Sequence, residues 1–396
     1  MFLPGKWPTY FSKTSECFVW DLEDNRYTDI YLMGVGTNIL GYSHPEVDSA
    51  VQQVVSNGNM STFNAPEEVL LAEKLLQIDP WAGKVKFTRS GGEAITVALR
   101  IARAATGKDE IAFCGYHGWH DWYLAANLGK EDKLSEHLLP GLDPLGVPKN
   151  LIGTAHCFEY NKIDQLKDII GNKNIGVIVM EVSRNHAPKN DFLKKVRDIA
   201  NRNGIVLVFD ECSSGFRSGL GGLYRKFNIT PDMVVYGKTM GNGYAINAIV
   251  GKDSVMSAAS NSFISSTFWT ERIGFAAALA TIKVMEETSP WDALRSAGEK
   301  IKTGWSDLST KYDIPINITG SDTILSFSFH SPRALEYKTF ITQEMLKEKM
   351  LAATTVYVCT CHTEKIVNQY LEHLSVIFRK ISEFERHECT TEFLEH

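Results

Sequence analysis

A chain of 396 residues with 44% apolar and 22% charged side chains suits two domains, or one large domain with a companion, and excludes a disordered or fibrous protein. The net charge of -6 argues against a nucleic-acid partner, no apolar run approaches the roughly 20 residues of a membrane helix, and Met1 begins no signal peptide. A folded cytoplasmic protein with a small-molecule partner is expected.

Residues 1–45 include ECFVWDLEDNRYTDIY, a hairpin-like alternation. From residue 84 to 285, short β-rich runs alternate with helical stretches, the pattern of an α/β fold. The predicted strands are 84–90, 110–114, 175–180, 205–209, 233–236 and 246–250. Their near-continuous apolar character predicts a mostly parallel sheet with helices on both faces. Between the first two strands, Ala94, Val97, Ala98, Ile101, Ala102 and Ala105 recur at helical spacing up to Gly107. Residues 191–204 form a second amphipathic helix, with Phe192, Val196 and Ile199 inward. Residues 290–396 mix strands such as TILSFSF with the helical EKIVNQYLEHLSVIFRKI. We therefore assign 46–285 to a large domain and both ends, 1–45 and 286–396, to one smaller α+β domain.

Seven cysteines at wide spacing form no disulfide framework and read mostly as small buried hydrophobes. Cys359 and Cys361 with His362 lack the second ligand pair of a structural zinc site, so no metal is expected.

The chemistry centres on VVYGKTMGNGYAI, residues 234–246. GKT cannot end a nucleotide-binding P-loop, because that motif needs glycine where Asp232 stands. GNGYAI lacks the third glycine of a dinucleotide fingerprint and leads into a strand. Lys238 is then either a solvated loop lysine or an amine at the mouth of a parallel sheet, where partial burial favours the neutral nucleophile. Three further stretches favour the second reading. Asp210 and Glu211 follow an apolar strand; Ser90, Gly91 and Gly92 join a strand to a helix whose N-terminus suits an anion; and Tyr116, His117, Trp119 and Trp122 form an aromatic platform. Amine, carboxylate, anion seat and platform together fit pyridoxal 5'-phosphate.

Across nearly its whole length the chain resembles the class III aminotransferases of the fold-type I pyridoxal phosphate enzymes, nearest the glutamate-1-semialdehyde 2,1-aminomutase branch. The motifs that carry this are RSGGEA, YHG, VFDECSSGFR, GKTMGNGYAINAIVG and STFWTERIG. The resemblance implies that Lys238 holds the cofactor as an imine and acts as general acid–base, while Asp210 pairs with the pyridine nitrogen. Ser90, Gly91 and Gly92 match the phosphate loop, and Tyr116 the residue stacked on the ring, with His117 beside it. Cys212 takes the place of a usual valine on the opposite ring face. Thr267 matches a threonine that reaches the phosphate of a neighbouring subunit, which implies a homodimer.

Glu181 matches a family glutamate but is followed by Val182 instead of proline. Gly92, Ala245 and Asn247 stand where threonine, proline and glycine are usual. Aminomutases carry a longer N-terminal segment that helps to bind the substrate carboxylate. Here Arg272 and Arg217 are the candidates for that grip, with ordinary structural ion pairs the favoured reading of each. The stretch GWHDWY, through Trp122, would shape a pocket for a larger acceptor. The implied function is transamination between a small amine or amino-acid donor and a carbonyl acceptor, with aminomutation as the alternative and a non-catalytic binding protein as the rival class.

Overall fold

The computed structural model describes residues 3, 5–129, 134, 142–183, 185–387 and 394. The chain divides into two compact units, Ser49–Glu286 and the paired ends Met1–Asp48 with Glu287–His396.

The larger unit is built on a seven-stranded sheet. Its spatial order is Lys84–Thr88, Asn247–Gly251, Met233–Tyr236, Val206–Glu211, Ile175–Glu181, Glu110–Cys114 and Ala155–Cys157. Asn247–Gly251 runs antiparallel to both of its neighbours and every other pairing is parallel, so six strands point one way. The strands Ile175–Glu181, Val206–Glu211, Met233–Tyr236 and Asn247–Gly251 are buried at every residue. Their continuous Val, Ile and Met runs are what a sheet covered on both faces requires. Ala155–Cys157, a three-residue edge strand, has no apolar run to announce it and forms by pairing with Glu110–Cys114.

The helix Gly91–Thr106 lays Ala94, Val97, Ala98, Ile101 and Ala102 into the core and stops where Gly107 turns left-handed at φ 67°. Ala105, expected inward, is exposed in the last turn. The helix Phe192–Asn203 buries Phe192, Leu193, Val196 and Ala200, and Gly204 closes it at φ 59° by donating its N–H to the Ala200 carbonyl. Ile199 is only half-buried. The parallel strand Val206–Glu211 follows directly.

In the smaller unit the two chain ends share a sheet. Phe11–Ser15, Phe18–Asp21 and Arg26–Asp29 form an antiparallel ribbon, to which Met350–Leu351 adds in parallel. A second antiparallel sheet joins Ile316–Gly320, Ile324–Phe329 and Thr355–Tyr357. Trp305, Phe327, Phe329 and Phe378 pack edge-on or tilted in its core. No helix among the described residues is long and apolar enough to cross a membrane.

Candidate active site

Strand direction decides where the candidate residues meet. The strands that end in Thr88, Cys114, Glu181, Glu211 and Tyr236 all finish at the same edge of the large sheet, the edge at which open α/β sheets hold their ligands. Register keeps the neighbours level: Glu181 pairs with Asp210, and Asp210 with Val235. The reversed strand carries the same level across, since Asn247 pairs with Thr88 and Ala248 with Tyr236.

Asp210 is buried, and its Oδ2 lies 2.8 Å from His117 Nδ1. The Cys212 N–H donates to Oδ1 at 3.1 Å. Burial pushes this carboxyl up, but the His117 hydrogen bond and charge and the Cys212 amide outweigh it and hold Asp210 below the ordinary carboxylate range. His117 Nε2 faces the Cys114 carbonyl at 3.2 Å. A carbonyl can only accept, so Nε2 donates there, and the imidazole is held at both nitrogens. Trp122 backs this pair. It is buried, stacks at 29° on the His117 ring, and gives its indole N–H to Thr96 Oγ1. That placement makes Trp122 a support for His117; it also lines a cavity with Trp119, His120 and Asp121, where Trp119 is 70% exposed.

Lys238 opens a short 3-10 turn two residues after Tyr236 and is half-buried. Its Nζ donates to Ser213 Oγ at 2.8 Å, which ties the amine to the loop leaving the Asp210 strand. Lys238 itself adopts φ 42°, a left-handed conformation that costs a non-glycine residue on the order of 1–2 kcal/mol. Strain of this kind concentrates where function holds a side chain in place. Arg217 is buried beside this loop, its Nε donating to the Ser213 carbonyl at 2.6 Å.

The glycine turn lies next to these groups. Ser90 is the exposed N-cap of the helix Gly91–Thr106, and its hydroxyl makes no capping bond. The first amides of a helix have no intrahelical acceptor, so this end offers N–H groups and the positive end of the dipole to an anion. A Cβ on Gly91 would stand 3.4 Å from Cys212 Sγ. Asn247 Nδ2 is 3.5 Å from the same sulfur, and a Cβ on Gly237 would fall 2.0 Å from that nitrogen. Gly91, Cys212, Asn247 and the residue before Lys238 therefore share one spot. Two departures from the usual motif find reasons here. A Cβ on Gly92 would come within 2.9 Å of the His120 ring, and Asn247 fills the space that makes Gly237 obligatory. Burial, then the charge of Asp210, pushes the Cys212 thiol well up, so it stays a neutral, apolar wall.

Tyr116 is half-buried, its N–H donating to Glu181 Oε2 at 3.1 Å and its ring edge-on to Tyr123. Gly115 adopts φ 113°, and a Cβ there would sit 2.6 Å from the same carboxylate oxygen, so glycine is needed for Glu181 to reach the turn. Thr267 is exposed at the start of the short helix Thr267–Thr270. Arg89, the neighbour of Ser90, binds the carbonyls of Phe268, Trp269 and Glu271 and pairs with the Glu271 carboxylate at 3.1 Å. Arg272, a candidate carboxylate grip, forms the structural ion pair that was the favoured reading: both Glu67 oxygens bind it, at 3.0 and 2.6 Å, and a third bond reaches the Gly58 carbonyl. Ser213 and Arg89 carried no signal in their residue types; spatial adjacency alone identifies them.

Residues 5–378 match the family described as aminotransferase class-III. The chain is 32% identical over 379 residues, 92% of its own length and 87% of the relative's, to a 3-aminobutyryl-CoA aminotransferase of Cloacimonas acidaminovorans. It is 29% identical over 398 residues, 95% of its length and 94% of the relative's, to a glutamate-1-semialdehyde 2,1-aminomutase of Sulfurisphaera tokodaii. Among solved structures, the FumI protein of Sphingopyxis sp. MTA144 in its PLP internal aldimine form superposes with a TM-score of 0.86 at 22% identity, covering 98% of this chain and 92% of that one, a likeness of fold.

Proposed function

This chain belongs to the class III aminotransferases, enzymes that use pyridoxal 5'-phosphate to move an amino group between a small amine or amino-acid donor and a carbonyl acceptor, and on that premise we propose how its residues share the work. The architecture is that of fold-type I. When bound, the cofactor supplies an aldehyde that condenses with amines and a protonated pyridine ring that draws electrons from the carbon bearing the amino group. The residues present fit it. A buried carboxylate kept ionised by His117 suits a ring N–H, a glycine-opened helix end suits a phosphate, and neutral Cys212 suits a ring face.

Lys238 Nζ is the covalent anchor. Held 2.8 Å from Ser213 Oγ, the Lys238 amine would, when not engaged with the cofactor, take and return the proton of the amino-bearing carbon. The Asp210 carboxylate would hold the proton on the ring nitrogen, and His117 helps to keep Asp210 ionised. Ser90, Gly91 and Gly92 would seat the phosphate and Tyr116 would cover one ring face, with Glu181 fixing Tyr116 through its backbone amide. The observation that carries this reading is the buried His117–Asp210 pair, level in register with the strand that delivers Lys238.

We assign the working form to a cytoplasmic homodimer in which Thr267 completes the phosphate seat of the neighbouring copy. The exposure of Thr267, on a segment that Arg89 anchors, supports this. Intramolecular transfer, the reaction named for the aminomutase relative, is the second reading, favoured by 29% identity over 95% of the chain.

The purified protein is expected to show a visible cofactor absorbance that borohydride removes, leaving the label on a peptide containing Lys238. Lys238→Ala loses both the label and at least about a hundredfold in turnover. Co-expressing Lys238→Ala with Thr267→Val regenerates one intact site per hybrid dimer, so recovered activity is expected; no recovery overturns the shared site. A protein that takes up no cofactor returns the reading to a binding protein. Single turnovers with added amines separate transamination, which consumes the donor, from internal transfer, which does not.

A further inference from the structure

The smaller unit gathers three thiols that amino transfer does not use. Cys17 and Cys359 are buried, Cys361 is half-buried, and all three are free. Cys17 Sγ lies 3.7 Å from the Cys361 carbonyl, and Cys361 Sγ lies 3.7 Å from the Leu40 carbonyl. The His362 N–H donates to the Cys359 carbonyl at 3.1 Å, closing a tight turn with Cys359 first and Cys361 third. The first and fourth Cα atoms of such a turn lie within about 7 Å, which brings the first and third into the range of about 4.4–6.8 Å that a disulfide spans.

The two sulfurs are unequal. Cys361 is half-buried and Cys359 fully buried; the neighbouring Cys359 thiol and the Thr360 hydroxyl, 3.9 Å from the Cys361 sulfur, hold Cys361 below its ordinary range against burial and the Glu16 charge, whereas burial pushes Cys359 well up. Cys361 also lines a cavity of about 580 Å³, together with Arg26, Lys349 and Lys365 and with Glu16 and Glu348, so its sulfur, unlike that of Cys359, can be reached by a small polar oxidant. His362 is engaged elsewhere: its Nε2 donates to the Asp29 carbonyl at 2.8 Å and its Nδ1 accepts the Cys359 amide at 3.3 Å. Both ring nitrogens of His362 are thus occupied by backbone groups.

We propose that Cys359 and Cys361 are a reversible dithiol couple oxidised by hydroperoxides, with Cys361 the attacking sulfur and Cys359 the resolving one. The Cys361 thiolate attacks one peroxide oxygen. The O–O bond breaks, the sulfur is oxidised to S–OH, and the other oxygen leaves protonated, as water when the oxidant is hydrogen peroxide. Cys359 sulfur then attacks Cys361 sulfur, the S–OH oxygen leaves as water with the Cys359 proton, and the two-electron oxidation ends in one S–S bond. An external dithiol, oxidised in its turn, restores both thiols.

The test uses the holoprotein carrying Cys389→Ala, which removes the thiol outside the described residues. It is exposed to limiting hydrogen peroxide, alkylated and cut with trypsin. Peptide 350–365, which holds both cysteines, is expected to lose two hydrogens and escape alkylation, and dithiothreitol is expected to reverse both changes. Oxidation should run at least about tenfold faster than at Cys157, the other half-buried thiol among the described residues. In Cys359→Ala, dimedone should trap the Cys361 sulfenic acid. Oxidation no faster than at Cys157, a Cys17–Cys361 bridge, or a sulfenic acid that persists in the parent without forming the S–S bond overturns the proposal.

Discussion

Asp210 has a charge that burial alone would remove. His117 reverses this with one nitrogen at the carboxylate and the other donating to the Cys114 carbonyl, so that it is anchored at both ends. Asp210→Asn preserves the shape and removes the charge. We expect its half-reaction with an amine donor to slow by about 10²–10³-fold, because a preorganised charge is lost where charge develops. The cofactor should also dialyse away faster. Stopped-flow absorbance and dialysis measure the two effects, and a variant that reacts within a few-fold of the parent would remove Asp210 from the mechanism. That Lys238, Asp210 and the glycine turn meet at one edge of the sheet was legible because each follows an apolar strand. Ser213 was not legible, since a serine in SSGF says nothing until its hydroxyl is found 2.8 Å from Nζ. For Arg272 the residue type left two readings, a substrate grip and a structural ion pair, and the Glu67 carboxylate that it meets decides for the second.

The elements read well where periodicity is long and poorly where it is short. Helix Gly91–Thr106 and the four fully buried strands follow from runs of small and β-branched residues, because such runs fit only positions covered on both sides. Ala155–Cys157 escapes any pattern, as three residues show no period and its existence depends on a free edge beside Glu110–Cys114. Close packing between elements is likewise set by geometry and hidden from composition. In the smaller unit, a Cβ on Gly298 in the helix Trp291–Tyr312 would meet the Asp322 carbonyl at 1.6 Å. Gly298→Ala is therefore expected to destabilise the protein by about 1–3 kcal/mol through overpacking, despite alanine's better helix propensity. Urea unfolding checks this, and an unchanged or raised midpoint would contradict the contact.

At the scale of the whole molecule, the two units are expected to answer acid in opposite senses. Glu211, in the larger unit, accepts bonds from Ser214 Oγ and the amides of Leu223 and Tyr224, yet burial pushes its carboxyl from 4.5 to about 7. The folded form thus binds a proton that the unfolded chain releases. This contribution is complete below pH 4.5 and disappears as pH rises through about 7, with a ceiling on the order of 3 kcal/mol. His362, in the smaller unit, is lowered by burial from 6.5 to about 4, so its contribution is present above pH 6.5 and is lost as pH falls toward 4. Between pH 7 and 5, hydrogen exchange should show segments of the larger unit tightening and those of the smaller unit loosening. Glu211→Gln and His362→Gln should flatten the first and second trends respectively, and identical slopes in the variants would refute the assignment. Taken by itself, the sequence determined the α/β class, the strand and helix cores and the cofactor chemistry, because local period and residue type are properties of the chain. Only the tertiary structure decided which charges meet. Ion pairs such as His117–Asp210 and Arg272–Glu67 join residues 93 and 205 positions apart, and strand direction and register, not spacing, bring them within hydrogen-bond reach.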